Sequence, residues 1–169
     1  MGSRGSLARF AERIGEMPFV PSLLCLDHQC LTLLDHTFGA RSPDEGCALL
    51  LGPVPMQSRW LVNTVWPCCN VWWPPAERTS CFAVNPMEQL AAQRWGRGRG
   101  LQVLAVAHSH PAAAAIPSDK DRRLGLSDGL MLITDRDGSP LAWWLDGERR
   151  VTSIPVEVWD TRQCQEACS

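Results

Sequence analysis

Residues 101–121 read LQVLAVAHSHPAAAAIPSDKD: an apolar run ending in two histidines, a small-residue loop between prolines, and a serine three positions before an aspartate. Leu101 to Ala107 is too short for a comfortable helix and reads as a buried strand, which His108-Ser109-His110 prolongs. Alternate side chains of an extended chain share a face, so the two imidazoles converge while Ser109 points away. Pro111 cannot donate to a ladder and ends the strand, leaving the histidines at a sheet rim. Ser118-Asp119-Lys120-Asp121 has the form of a capping box opening a helix that ends before Gly129. Two readings stay open for Ser118 and Asp121: a helix cap alone, or a cap that also anchors a metal-binding carboxylate which the Pro111–Pro117 loop swings back onto the histidines. Two neutral imidazoles plus one carboxylate leave a fourth tetrahedral position for water, the arrangement of a catalytic zinc, one Zn2+ per chain. His28 and His36, eight apart near the other end of the chain, are expected to have ordinary surface or core roles.

Upstream, Asp27 can cap a helix to about Thr37, with Leu31, Leu34 and Phe38 on its apolar face and Gly39 stopping it. After a turn at Ser42-Pro43-Asp44 comes Glu45, then the apolar run Cys47 to Leu51 and Gly52, a buried strand. Trp60 to Trp66 alternates and is expected to form a second strand, antiparallel to the first. Pro67 to Ser80, with Trp72-Trp73-Pro74-Pro75, reads as a loop packed on its own aromatics. Asn85, Pro86 and Glu88 supply N-cap, first-turn proline and capping-box carboxylate for a helix ending near Trp95. Gly96 to Gly100 reads as a flexible connection rather than an RNA-binding element. Downstream, Asp137-Gly138 joins Leu130–Thr134 to Leu141–Leu145 in a hairpin, and Asp146-Gly147 precedes a strand over Val151 to Val158. The fold class is α/β: a mixed, largely antiparallel β-sheet flanked by helices, without a dinucleotide-binding fingerprint.

The 169 residues, 45% hydrophobic and 20% charged, suit one compact domain. Sixteen basic and eighteen acidic side chains nearly cancel, so no strong field marks a partner in nucleic acid or an anionic membrane. No apolar stretch approaches a membrane span and no signal-peptide pattern opens the chain, which implies a cytoplasmic location. The eight cysteines include no CxxC pair and are expected to be reduced, mostly buried thiols.

The run His108-Ser109-His110-Pro111, six further residues, Ser118, two residues and Asp121 resembles the signature of the JAMM (MPN) metallopeptidases. Glu45-Gly46-Cys47-Ala48-Leu49-Leu50-Leu51-Gly52 resembles that family's upstream glutamate and strand, and Asn70 with Phe82 to Pro86 its middle segment. Ala48 stands where relatives usually carry glycine. The resemblance runs from about Leu24 to Val158. It implies an N-terminal extension at 1–22, a metallopeptidase domain with the curved MPN sheet at 23–160 and a tail at 161–169. It further implies His108, His110 and Asp121 as zinc ligands, Glu45 as general base and Ser118 as donor to the oxyanion. Without it, Glu45 is as readily a salt-bridged strand-end acid and Ser118 only a cap. The chain is similar to short bacterial members that act on ubiquitin-like sulfur-carrier proteins, so a Gly-Gly tail or peptide is the expected substrate, with Trp72 and Trp73 contacting it. An inactive MPN scaffold that binds protein partners is the competing class. A zinc nucleobase deaminase would need His-x-Glu and Pro-Cys-x-x-Cys, which Pro67-Cys68-Cys69 does not provide.

Overall fold

The computed structural model describes residues 20–160. Residues 1–19 and 161–169, which hold most of the expected extension, the whole tail, Cys164 and Cys168, lie outside the described residues.

β1 (Leu23–Asp27), a strand not expected from the sequence, leads directly into α1 (His28–Gly39). Asp27 makes the switch: its carboxylate accepts from the Gln29 N–H at 2.7 Å, a cap worth about 1 kcal/mol. Cys30, Leu34 and Phe38 form the buried face of α1, and Leu31 is half-buried beside them. β2 (Cys47–Pro53) is covered on both faces, which is why its sequence is continuously apolar. Ala48 and Leu50 enter the main core with Leu26, Leu34, Phe38 and Trp60. Cys47, Leu49 and Leu51 face a second core beneath α2 (Pro86–Arg97), with Ala92 and Trp95. Trp60 meets Trp144 edge to face, 5.9 Å between ring centroids, a contact worth about 0.5–1.5 kcal/mol beyond its buried area.

The strand expected over Trp60 to Trp66 is in fact two, β3 (Arg59–Val62) and β4 (Thr64–Cys68), in different sheets. The cause lies at Gly52, where the Leu61 carbonyl oxygen passes so close that a Cβ would stand 1.8 Å from it. There the chain leaves one sheet for the other, and the Asn63 N–H bonds the Leu51 carbonyl at 3.2 Å on the way. The strand expected over Val151 to Val158 is likewise split, into β8 (Val151–Ile154) and β9 (Val156–Trp159). Pro155 between them has no N–H for a ladder, and its carbonyl accepts from the Leu24 N–H at 2.9 Å, beside the pairing of β9 with β1.

With β5 (Leu101–Ser109), β6 (Gly129–Thr134) and β7 (Pro140–Leu145), the architecture is a six-stranded sheet, order β4-β2-β5-β6-β7-β8, beside a three-stranded sheet, order β3-β1-β9. The larger sheet is antiparallel except between β5 and β6; in the smaller one β1 runs parallel to both neighbours. The expected single sheet is thus two, and the mixed, largely antiparallel α/β class holds. Asn85 caps α2, but Glu88 closes no capping box: its carboxylate accepts from the Cys69 N–H at 3.0 Å instead. Gly96, expected in a flexible connection, is helical and buried. α3 (Asp119–Leu124) opens with the expected capping box and ends early, at Gly125. The six described cysteines are free, and all but Cys69 are buried. No helix among the described residues is long and apolar enough to cross a membrane.

Candidate metal centre

Val106, the residues His108 and His110, and the aromatic ring of Phe82 belong to one side of the large sheet. Phe82 stacks on the His108 ring at 4.3 Å between centroids. Ser109 lies on the opposite side, and its hydroxyl accepts from the Gly46 N–H at 2.9 Å. The end of β5 is thereby fastened to the start of β2, beside Glu45. His110 lies just past the strand, where its N–H donates to the Thr134 carbonyl at 2.8 Å.

Three side chains converge. His108 Nε2 and His110 Nε2 are 3.1 Å apart, and Asp121 places Oδ1 3.2 Å from the first and Oδ2 3.3 Å from the second. All three residues are buried. Zinc bonds of about 2.0–2.1 Å to nitrogen and oxygen require about 3.3–3.4 Å between donors of a tetrahedron; the two nitrogens approach that spacing, and the carboxylate meets it with a different oxygen toward each ring, so the group is of the size that could hold a metal ion. His110 Nδ1 lies 2.8 Å from the Ala114 carbonyl: in the neutral ring that carbonyl takes the Nδ1 proton and leaves the Nε2 lone pair for a ligand bond, whereas in the protonated ring Nε2–H donates to Asp121. His108 Nδ1 is buried without a partner, so that ring is not held by an outer hydrogen bond; Phe82 orients it instead.

Electrostatics follow from burial and from Asp121. Burial lowers the pKa of His108 below its ordinary value and keeps the ring neutral, against the pull of Asp121. For His110 burial acts the same way, but the hydrogen bonds with Asp121 and Ala114 and the nearby Glu45 outweigh it and raise the pKa. Asp121, which burial alone would push up, is held far below the carboxylate range by hydrogen bonds from both histidines and from Ser118.

Glu45 is buried, with Oε1 4.0 Å from His110 Nε2. Burial, with Asp121 adding and His110 and Lys120 opposing, pushes its pKa from 4.5 up to about 7. Its backbone is clamped: the N–H donates to the Arg78 carbonyl at 2.7 Å, and its carbonyl accepts from Asn70 Nδ2 at 3.0 Å. Asn70 spends its whole amide here, donating also to the Cys81 carbonyl and accepting from the Trp72 and Ala83 N–H groups. Neither Asn70 nor Ser109 has such work in the expectations from sequence; the available signal was that Ser109 stands between the two histidines and Asn70 in the middle segment. Ser118 Oγ donates to Asp121 Oδ2 at 2.7 Å and accepts from the Asp121 N–H at 3.1 Å, so capping and orientation of the carboxylate are one arrangement.

The two tryptophans differ. Trp72 is half-buried, its indole N–H donating to Glu77 Oε2 at 3.1 Å and its carbonyl accepting from Arg78 Nε at 2.9 Å. Trp73 is 79% exposed. A cavity of about 760 Å³ opens beside the centre, lined by His108, Asp121, Phe82, Trp72, Lys120 and Met131 among others. His28 and His36 are exposed on α1, in the ordinary roles expected of them.

The sequence profile of the family described as prokaryotic homologs of the JAB domain matches residues 33–146. Among curated proteins, tail tip assembly protein K of Escherichia phage N15 is 37% identical over 83 residues, 49% of this chain. The match spans only 28% of that longer protein. Two solution structures are similar over most of both chains. A protein from Desulfitobacterium hafniense shares 25% identity with a TM-score of 0.72, over 81% of this chain and 93% of its own. A protein from Salinibacter ruber shares 26% identity with a TM-score of 0.59, over 80% and 92%.

Proposed function

The chain belongs to the family of prokaryotic homologues of the JAB domain, and from that premise we propose that it is a zinc-dependent peptidase. Its proposed reaction is hydrolysis of the amide bond after the C-terminal Gly-Gly of a ubiquitin-like or sulfur-carrier protein, in the cytoplasm. The observation that carries this reading is the triangle of His108 Nε2, His110 Nε2 and the Asp121 carboxylate, with the Glu45 carboxylate 4.0 Å from His110. Held by His108, His110 and Asp121, a zinc ion would lower the pKa of a water from about 15.7 toward about 7 and polarise a carbonyl.

Glu45 takes the proton of the attacking water and delivers it to the leaving amine. A buried carboxylate 4.0 Å from His110 Nε2 is placed for both halves of that transfer, a contribution of about 10²–10⁴ in rate. Ser118 donates to the oxyanion after a rotation that exchanges Asp121 Oδ2 for the substrate oxygen while the Asp121 N–H still holds its Oγ. Glycines let the substrate carbonyl approach without side chains meeting the cleft walls, and the folded body of the carrier rests outside, on Trp73.

The test is incubation of zinc-loaded protein with carriers extended beyond their Gly-Gly ends, followed by intact-mass measurement. Loss of the extension is the expected result. A purified wild-type protein that retains no zinc and cleaves nothing would leave the inactive-scaffold reading in place. The partial likeness to a phage tail tip assembly protein favours a second reading, a part in particle assembly; binding to tail proteins with no cleavage of any Gly-Gly carrier is the result that selects it.

A further inference from the structure

We propose that Cys81 and Lys120 form a redox site on the wall of the metal cleft, joined in the oxidised protein through one oxygen atom as an Nζ–O–Sγ link. The two residues are 39 apart in sequence, yet Lys120 Nζ stands 2.6 Å from Cys81 Sγ. Nitrogen and oxygen in an N–H···O bond lie about 2.9–3.0 Å apart, and the larger sulfur lengthens such a bond. A direct bond between two sulfur atoms, the disulfide, spans only about 2.0 Å. The observed spacing falls between the two, where it fits two atoms bonded to a common small third atom. The other cation–thiol contacts are wider, 2.9 Å for Arg59 with Cys25 and 3.6 Å for Arg41 with Cys69.

The surroundings suit the chemistry. Cys81 is buried from bulk solvent but lines the same cavity as Lys120, His108 and Asp121, so a small oxidant reaches the sulfur through the cleft. Glu77 Oε2, 3.9 Å from the sulfur, is placed to receive the thiol proton. The oxidant is dioxygen: one amine, one thiol and one O2 give one N–O–S link and one water. One N–H bond and the S–H bond are lost, the O–O bond breaks, and N–O and O–S bonds form. Four electrons pass from the nitrogen and sulfur centres to oxygen. Two equivalents of a dithiol return the four electrons and release the bridging oxygen as water. Because Cys81 follows the loop fastened by Asn70 and Lys120 begins α3 beside Asp121, the link ties the two walls of the cleft together. It requires neither the metal nor peptidase activity.

Protein prepared in dithiothreitol without air is compared with the same protein exposed to air, both alkylated, digested and analysed by mass spectrometry. The expected product in air is a joined pair of peptides containing Cys81 and Lys120, heavier by one oxygen and lighter by two hydrogens than the two combined, and split again by dithiothreitol. Lys120→Met and Cys81→Ser each remove it. Oxidised wild type melts at a higher temperature than reduced protein, and Lys120→Met, whose changed side chain lies on the cleft wall rather than in the core, loses that difference. Recovery of Cys81 after exposure only as an alkylated thiol, or as a sulfenic acid with Lys120 on a separate peptide, overturns the proposal.

Discussion

Glu45 carries two separable expectations. In the zinc-loaded protein Glu45→Gln keeps the shape and removes the base, so turnover falls by about 10²–10⁴ while metal analysis still finds the zinc of wild type. Loss of metal together with activity would make Glu45 a ligand or a support. In the metal-free protein the same residue governs stability. Its pKa is raised from 4.5 to about 7, so the folded state binds the proton more tightly than the unfolded chain between those values. Stability from this source is complete below pH 4.5 and is lost as pH climbs through about 7. The loss is about 3 kcal/mol at about 1.4 kcal/mol per pKa unit, and Glu45→Gln does not suffer it. Denaturant melts in chelator should show the variant gaining on wild type from pH 5 to pH 8; parallel curves would refute the burial argument. At this scale the sequence was informative because the spacing of the proposed ligands is local: His108 and His110 stand on one side of the sheet at the end of β5, and Asp121 in the capping box of α3. The unpaired Nδ1 of His108 and its stacking on Phe82 depend on chain segments that only the fold brings together.

Between elements, single small residues decide the route of the chain. The Leu61 carbonyl occupies the space of a side chain at Gly52, so Gly52→Ala must push β3 away from β2 or abandon the crossing between sheets. A loss larger than the roughly 1–3 kcal/mol usual for overpacking is expected in urea unfolding, because the obstacle is backbone rather than a side chain that can turn aside. The periodicity of Trp60 to Trp66 concealed that crossing, since alternation survives a change of sheet. β1 escaped notice for a related reason: Leu23–Asp27 is five residues long and reads as the approach to a helix until β3 and β9 flank it. Asn70 is the other hinge of the site. Asn70→Ala removes two donors and one acceptor that hold Glu45, Cys81, Trp72 and Ala83. At about 1 kcal/mol for each net hydrogen bond, it should lower stability by roughly 2–4 kcal/mol and reduce turnover with zinc retained. An activity loss without any stability loss would place Asn70 against substrate instead.

Across the whole molecule the cleft has one wall built from the end of β5 and the start of α3, and another from the loop between β4 and α2. The first holds the proposed ligands rigidly. The second presents two tryptophans whose exposure assigns them different work: Trp72 is tied to Glu77 and Arg78 and faces the cavity, while Trp73 stands 79% exposed. Exposed aromatics on a rigid support are common anchors for a protein partner, and a chain of net charge −2 has little long-range attraction to help recognition. Trp73→Ala should therefore raise KM several-fold for a folded Gly-Gly carrier, leave kcat unchanged, and spare a short Gly-Gly peptide. Trp72→Ala should lower the melting temperature and slow both substrates, because it releases the loop that carries Glu77 and Arg78. The decisive measurement is the ratio of kcat/KM for carrier and peptide. If Trp73→Ala leaves that ratio at its wild-type value, the outer tryptophan contributes nothing to recognition, and the folded part of the substrate must bind on another face.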